Sequence, residues 1–304
     1  MEDVKEKRKG ELFLFSNTFL WAFFPIITVL SYATISGLVS LLWSTTFAAL
    51  FFAAVITYRK KWSEMNNRVL WKYSALVAFF IGVLYYSLFF LGLETTTPGN
   101  AALIALFEVF TSFIFFNVLR GEKVSLDYKI GGVLMVIGAG IVLARNFSGV
   151  NYGDVFILAA TFCAPAGNLF QQKARAIASS EMIMFLRSVI SVPAILFLTY
   201  VFHTSSSLED LKVSLPFLLI NGFFLIGLSK IFWVEGIHRV PVAKGVALGG
   251  ISPILTLLLA WFILHQAPNV WQLTSLVPLL LGVLLLTDHI KLTGGLKRQP
   301  ASQS

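Results

Sequence analysis

Four ionisable side chains of this chain sit where charge is expensive. Arg187, Lys230, Lys244 and the carboxylate Glu108 fall inside long apolar runs. A charge at the centre of a bilayer-spanning helix costs about 2.5–3.5 kcal/mol, so groups kept there are the first candidates for function. The three cations all belong to the second half of the chain and lie toward the same end of their runs. Arg187 would offer a planar bidentate fork and the lysines mobile point charges, which together could attract a carboxylate or phosphate. The competing reading is that their long stems carry the heads out to the membrane interface. For Lys244, a few residues into its run, the two readings are equally open. Glu108 stands alone in Leu106-Phe107-Glu108-Val109-Phe110. A carboxyl in apolar surroundings can load and release a proton, or it can stay ionised in a structural pair with one of the cations.

Uncharged side chains extend the list. Asn168 and Gln171, three residues apart, share one face of a helix, and Asn100 is a further polar group inside an apolar run. Trp21, Tyr85, Tyr86 and Trp233 could stack on a ring or cover an apolar body, although each also suits packing or an interfacial aromatic belt. Catalysis has little to work with. His203, His238, His265 and His289 fall at run ends or in links, with no His-Glu-x-x-His spacing, and Ser148 has no evident base beside it. The single cysteine, Cys163, permits neither an intrachain disulfide nor a cysteine-based metal cluster. No metal site, catalytic residue or cofactor is expected, and no Gly-rich phosphate loop is present for a primary pump.

The elements that carry these residues are membrane helices. The 304-residue chain is 57% hydrophobic and only 12% charged, about half the charge of an average soluble domain, with a mean hydropathy of +0.81. A crossing needs about 20 apolar residues. The spacing predicts spans at 11–33, 36–58, 72–93, 98–119, 127–145, 153–173, 181–202, 213–235, 241–264 and 270–289, an all-α membrane protein of ten transmembrane helices. Glu94 and Glu235 fall at span ends and read as interfacial. Pro98 and Pro241 suit a first helical turn. Pro25, Pro165, Pro193, Pro253 and Pro278 fall inside spans, as in helices that line cavities.

Basic residues set the orientation. Lys5, Lys7, Arg8 and Lys9 precede the first span. Arg59, Lys60, Lys61, Arg68 and Lys72 mark the second link, Arg120, Lys123 and Lys129 the fourth, Lys173 and Arg175 the sixth, and Arg239 the eighth. Lys291, Lys297 and Arg298 follow the last span. The intervening links hold only Arg145 and Lys212. Basic flanks stay in the cytoplasm, which puts both termini there, in a multi-pass protein of the cell inner membrane. The first span has no small-residue cleavage site and reads as an uncleaved anchor. The net charge of +8 then follows from sidedness, with anionic lipid headgroups as partners and no nucleic acid.

The two halves correspond. Offset by 144, Gly92 falls on Gly236, Gly138 on Gly282 and Asn100 on Lys244. A first repeat over 11–145 and a second over 153–289 each hold five spans. Because five is odd, the second must enter from the opposite face, an inverted repeat of the kind found in transporters.

Together with this topology, several short stretches resemble the EamA-like branch of the drug/metabolite transporter superfamily. Trp21-Ala22 is similar to the family's Trp-Gly element, and Leu119-Arg120-Gly121-Glu122 to the Leu-Gly-Glu that ends its fourth helix. Leu186-Arg187 and Ser252-Pro253 fit as well. Trp43 stands at the position matching Arg187, and Gln266 replaces the second repeat's Glu. The resemblance covers about residues 11–289 and implies movement of small organic metabolites, often export, without ATP hydrolysis. A carrier of lipophilic cations would want an acid in an aromatic cavity with little positive charge nearby, whereas this chain adds three cations. The residues favour a secondary carrier for amino acids or organic acids, working by alternating access, and the resemblance implies the exporting direction. Arg187, Lys230, Lys244, Asn100, Asn168, Gln171, Trp21, Tyr86 and Trp233 are the expected substrate-binding residues, with Glu108 for proton coupling if such coupling exists. A multidrug exporter of lipophilic cations is the alternative and an intramembrane enzyme a remote one. Monomer and homodimer are both open.

Overall fold

A computed structural model of the chain describes residues 2–118, 125–144, 151–241, 244–245, 248–287 and 289–290, with side chains from residue 5 onward. The described residues form helices and no strands. Ten apolar rods follow one another: α1 (Lys5–Ser31), α2 (Gly37–Arg59), α3 (Arg68–Leu93), α4 (Pro98–Phe116), α5 (Leu126–Leu143), α6 (Tyr152–Arg175), α7 (Ser180–Val201), α8 (Leu208–Arg239), α9 (Gly249–Leu264) and α10 (Val270–Leu286). The first eight are long and apolar enough to cross a membrane; α9 and α10 are shorter over their described residues. Among the described residues, eight of the ten expected spans reach full crossing length and the last two are shorter apolar helices. Large side chains such as Phe19, Leu50, Phe162, Phe197 and Phe262 are exposed on the outside of the bundle, a surface suited to hydrocarbon rather than water.

Short polar side chains start most of these rods by satisfying amides that have no intrahelical partner. Asn67 accepts from the Val69 amide at 3.0 Å, Thr97 from Asn100 at 3.2 Å, Asn151 from Gly153 at 2.8 Å. Ser207 with Asp210, and Asn269 with Gln272, form reciprocal capping boxes. Pro98 takes the first turn of α4 as its fixed φ allows.

Consecutive rods alternate between two ends of the bundle. At one end Arg239 pairs with Glu6 at 3.1 Å, Lys244 with Glu11 at 2.6 Å, Arg175 with Glu235 at 2.8 Å and Arg59 with Glu181 at 3.2 Å. These contacts join the start of α1 to the α2–α3, α6–α7 and α8–α9 links. At the other end the Gly37 amide donates to Glu94 at 2.5 Å, Thr34 to the Asp210 carbonyl at 2.8 Å, and Asn151 to the Thr95 carbonyl at 2.9 Å. The expected basic end is thus gathered physically. Of the residues that predicted it, Arg120, Lys123, Lys291, Lys297 and Arg298 lie outside the described residues, as do Arg145 and the whole Leu119-Arg120-Gly121-Glu122 stretch.

Several rods are interrupted at mid-length, and the interruptions in α3 and α4 correspond to those in α8 and α9. In α4 the ladder shortens at Leu106 and Phe107, whose amides donate to Leu103 and Ile104 three residues back. The offset of 144 carries these two residues onto Gly250 and Ile251, and a 3-10 turn spans Gly249–Ile251 before α9 resumes at Ser252. Similarly, α3 widens to a π-helix over Ala78–Tyr85 and α8 over Asn221–Leu228. Within α1 the break is at Phe23, followed by Pro25. Of the five interior prolines singled out, Pro25 and Pro253 follow such breaks and face the central cavity, whereas Pro165, Pro193 and Pro278 sit inside unbroken helices. Such irregular turns cluster at functional sites.

Candidate functional site

The interruptions surround a central cavity between α1, α3, α4, α6, α7, α8 and α9. Of the predicted site residues, Trp21, Tyr86, Glu108, Asn168, Gln171, Arg187, Lys230 and Trp233 line it. The bundle brings these eight together from six rods.

Arg187 is held where α7 crosses the π-helical stretch of α3. Gly82 in that stretch has no room for a side chain; a Cβ there would run into Ser191 and stand 3.5 Å from the Arg187 Cγ. Arg187 is 1% exposed, its guanidinium lies 5.6 Å from the centre of the Tyr86 ring, and neither Nη1 nor Nη2 has a hydrogen-bond partner. Among the described residues no carboxylate pairs with it. A buried guanidinium without a counter-charge is costly, which makes it a donor waiting for an acceptor.

Glu108 opens the second half of α4, directly after the break. Its Oε1 accepts from Asn168 Nδ2 at 2.9 Å, and Asn168 Oδ1 accepts from Trp233 Nε1 at 3.1 Å and from Gln171 Nε2 at 3.5 Å. These bonds fix which way the Asn168 amide faces. The structural ion pair considered for Glu108 is absent among the described residues, because the three cations are placed elsewhere. Lys230 rests its Nζ 3.1 Å from the centre of the Trp21 ring, Arg187 lies beside Tyr86, and Lys244 is taken by Glu11.

Two expected site residues are outside the cavity. Lys244 is at the basic end of the bundle, where it pairs with Glu11 near the start of α1 at 2.6 Å. Asn100 is 3% exposed near the opposite end, where its Oδ1 accepts from Gln272 Nε2 at 2.8 Å, so it ties α4 to α10. Asn100 lies in the first turn of α4, and Lys244 precedes Gly249, where α9 begins.

Other lining residues escaped the sequence reading. Asn17 and Thr18 of α1 and Ser252 and Thr256 of α9 contribute polar atoms, while Tyr85, already considered as a stacking ring, joins Tyr86 on α3. Asn17 lies four residues before Trp21, so the helical period could have found it. The Asn17 Oδ1 and Gln171 Oε1 acceptors are buried without partners. The wall therefore presents unpaired donors at Arg187 and unpaired acceptors at Asn17 and Gln171, with a carboxylate at Glu108, around aromatic faces. Among the described residues there is no group of three His, Cys, Asp or Glu side chains able to hold a metal ion.

Similarity to known proteins fits this architecture. A transporter of Bacillus subtilis (strain 168), the uncharacterized transporter YyaM, is 23% identical over 230 residues, 72% of this chain and 74% of that protein. One solved crystal structure superposes with a TM-score of 0.68 at 17% identity, over 92% of this chain and 96% of its own, a likeness of fold. The EamA-like transporter family matches residues 8–144 and again residues 151–288. With both halves matched, the chain belongs to the EamA-like transporter family and is a multi-pass membrane transporter.

Proposed function

We propose that this protein is a secondary transporter that exports small metabolites bearing a carboxylate, such as amino acids or organic acids, across the cytoplasmic membrane. The observation that carries this reading is Arg187, fully buried on the cavity wall with both terminal nitrogens unpartnered. A substrate carboxylate would supply the missing counter-charge through the bidentate geometry that guanidinium favours. Acceptors at Asn17 and Gln171 would take a substrate N–H, and Tyr86 and Trp233 would cover its apolar body, with Asn168 holding the wall in shape. Lys230 adds positive potential. In this reading Glu108, free of any ion pair among the described residues, exchanges a proton with the cavity and links transport to a proton gradient.

The mechanical reading follows from the breaks and matched turns. Repeats over 11–145 and 153–289, inserted with opposite orientation, would rock about the cavity to give alternating access, with both termini cytoplasmic. The working unit is a monomer or a homodimer, and its outward direction rests on the family resemblance. A carrier of this type needs no cofactor and carries out no catalysis.

Reconstituted protein tests the reading. Counterflow of labelled amino acids and organic acids into proteoliposomes should be carboxylate-dependent, and Arg187→Gln should slow it about tenfold or more, the loss of one charge-assisted contact. Arg187→Lys should keep part of the rate. Glu108→Gln should flatten the pH dependence of transport. Wild-type rates in Arg187→Gln would defeat the carboxylate assignment, and an unaltered pH profile in Glu108→Gln would remove Glu108 as proton carrier.

A further inference from the structure

The cavity contains a cation seat, and the protein's own lysine occupies it. Trp21 stacks on Phe24 with ring centroids 4.0 Å apart and planes 10° from parallel. One face of the indole is therefore covered. On the other, the Lys230 Nζ stands 3.1 Å from the ring centre. Aromatic faces attract ammonium and quaternary ammonium groups, and most strongly when water is excluded. A carboxylate, Glu108, is on the same cavity wall without an ion-pair partner among the described residues. Tyr85 and Trp233 add aromatic surface to that wall. An indole face, a carboxylate and flanking aromatic rings together make the recognition surface for an organic cation, and α8 tethers a lysine across it.

We propose that Lys230 is the specificity-determining residue of this cavity. It acts as a tethered cation that fills the Trp21 seat and keeps organic cations out while leaving Arg187 free for anions. Removing its charge would unmask a site for small aromatic or quaternary ammonium ions, held by Trp21 and neutralised by Glu108. The inference rests on the reading of this cavity as the transport site, and explains how a wall with an acid among aromatic rings can serve anionic substrates. Specificity of this kind is a repulsive element as much as an attractive one.

Equilibrium binding of radiolabelled benzyltrimethylammonium to the purified full-length protein tests it. Lys230→Met and Lys230→Gln should each bind the cation at least tenfold more tightly than the wild type. Adding Glu108→Gln to either should abolish the gain. Cooperatively melting Met and Gln variants that bind the cation no better than the wild type would overturn the proposal. So would a gain that survives Glu108→Gln, since the cation would then be bound elsewhere. Carboxylate binding, measured on the same preparations, separates the two readings. A wild type indifferent to carboxylates beside a Met variant that gains the cation would defeat the anion assignment alone. Carboxylate binding in the wild type without any cation gain in the variants would defeat the tethered-cation assignment alone.

Discussion

Arg187 illustrates a conflict between stability and function that is confined to one residue. An empty cavity leaves its guanidinium buried and uncompensated, and a charge in that state destabilises the fold that holds it. The neighbouring Tyr86 ring at 5.6 Å offsets part of that cost, but it is no counter-ion. Arg187→Gln is therefore expected to stabilise the ligand-free protein, by about 1 kcal/mol or more, while losing the rise in melting temperature that a bound carboxylate gives the wild type. Thermal unfolding in detergent with and without carboxylates checks both halves. A variant that melts lower than the wild type when empty would mean that Arg187 has a structural partner in solution. Asn168 presents the opposite case: its amide is fully engaged by Glu108, Trp233 and Gln171, so it holds other groups in place.

At the scale of elements, several helix starts depend on side chains from other helices. Ser179 begins α7 without making a side-chain cap of its own. Instead its amide and hydroxyl donate to Glu64 Oε2 at 2.8 and 2.7 Å, a carboxylate from the short 3-10 turn Trp62–Asn66 between α2 and α3. Partial burial would push the Glu64 carboxyl up, but the Ser179 contacts and Lys61 outweigh it and hold the group below the usual glutamate range. The folded state thus prefers the ionised form more than the unfolded chain does. The stability from this contact is present above the unfolded pKa and is lost as pH falls through the lower folded value. Glu64→Gln should lower stability at neutral pH by roughly 1 kcal/mol, as the loss of a cap does, and narrow the gap to the wild type in acid. Melting curves from pH 7 down to pH 4 measure this; a constant difference across that range would rule out the ionised cap. The same logic of borrowed contacts applies where helix backbones touch. A Cβ on Gly282 of α10 would stand 2.9 Å from the Gly131 carbonyl of α5, whereas Gly140 on α5 faces open space. The small residues of α5 are thus not equivalent in packing.

Across the whole molecule, one carboxylate joins four rods at the basic end. Glu235 of α8 receives Arg175 of α6 at 2.8 Å, Arg239 of its own helix at 2.5 Å and the Ser180 hydroxyl of α7. Arg239 in turn reaches Glu6, continuous with α1. The participants are partly buried, so salt screens them less than surface pairs. Glu235→Gln would leave two arginines facing a neutral amide, and should cost about 1–3 kcal/mol, the range for hydrogen bonds to charged groups. A fall in melting temperature of the detergent-purified protein, persisting at high salt, is the expected result. An unchanged melting temperature would show that the basic end is held by packing alone.

The amino-acid sequence by itself determined the class of the molecule and the charged part of the cavity wall. Apolar runs long enough to cross a bilayer, with basic residues recurring at every second link, leave a chain few ways to be arranged. Charges that are costly in such runs stand out without any structure, which is why Arg187, Lys230 and Glu108 were legible. Partnership was not. Whether a long side chain in a helix reaches a cavity, an aromatic face or a carboxylate depends on what the neighbouring helices present at its depth and azimuth. Lys244 meets Glu11, Asn100 meets Gln272, and Lys230 meets Trp21, contacts separated by up to 233 residues in the chain. The breaks in α4 and α9 and the π-helical stretches in α3 and α8 were equally hidden, since one extra or missing backbone hydrogen bond leaves no mark on hydrophobic periodicity. Among the described residues, only packing of the ten rods decided that Arg187 would be left without a counter-charge and Glu108 without an ion pair, because a counter-charge is defined by distance in space and not by position in the chain.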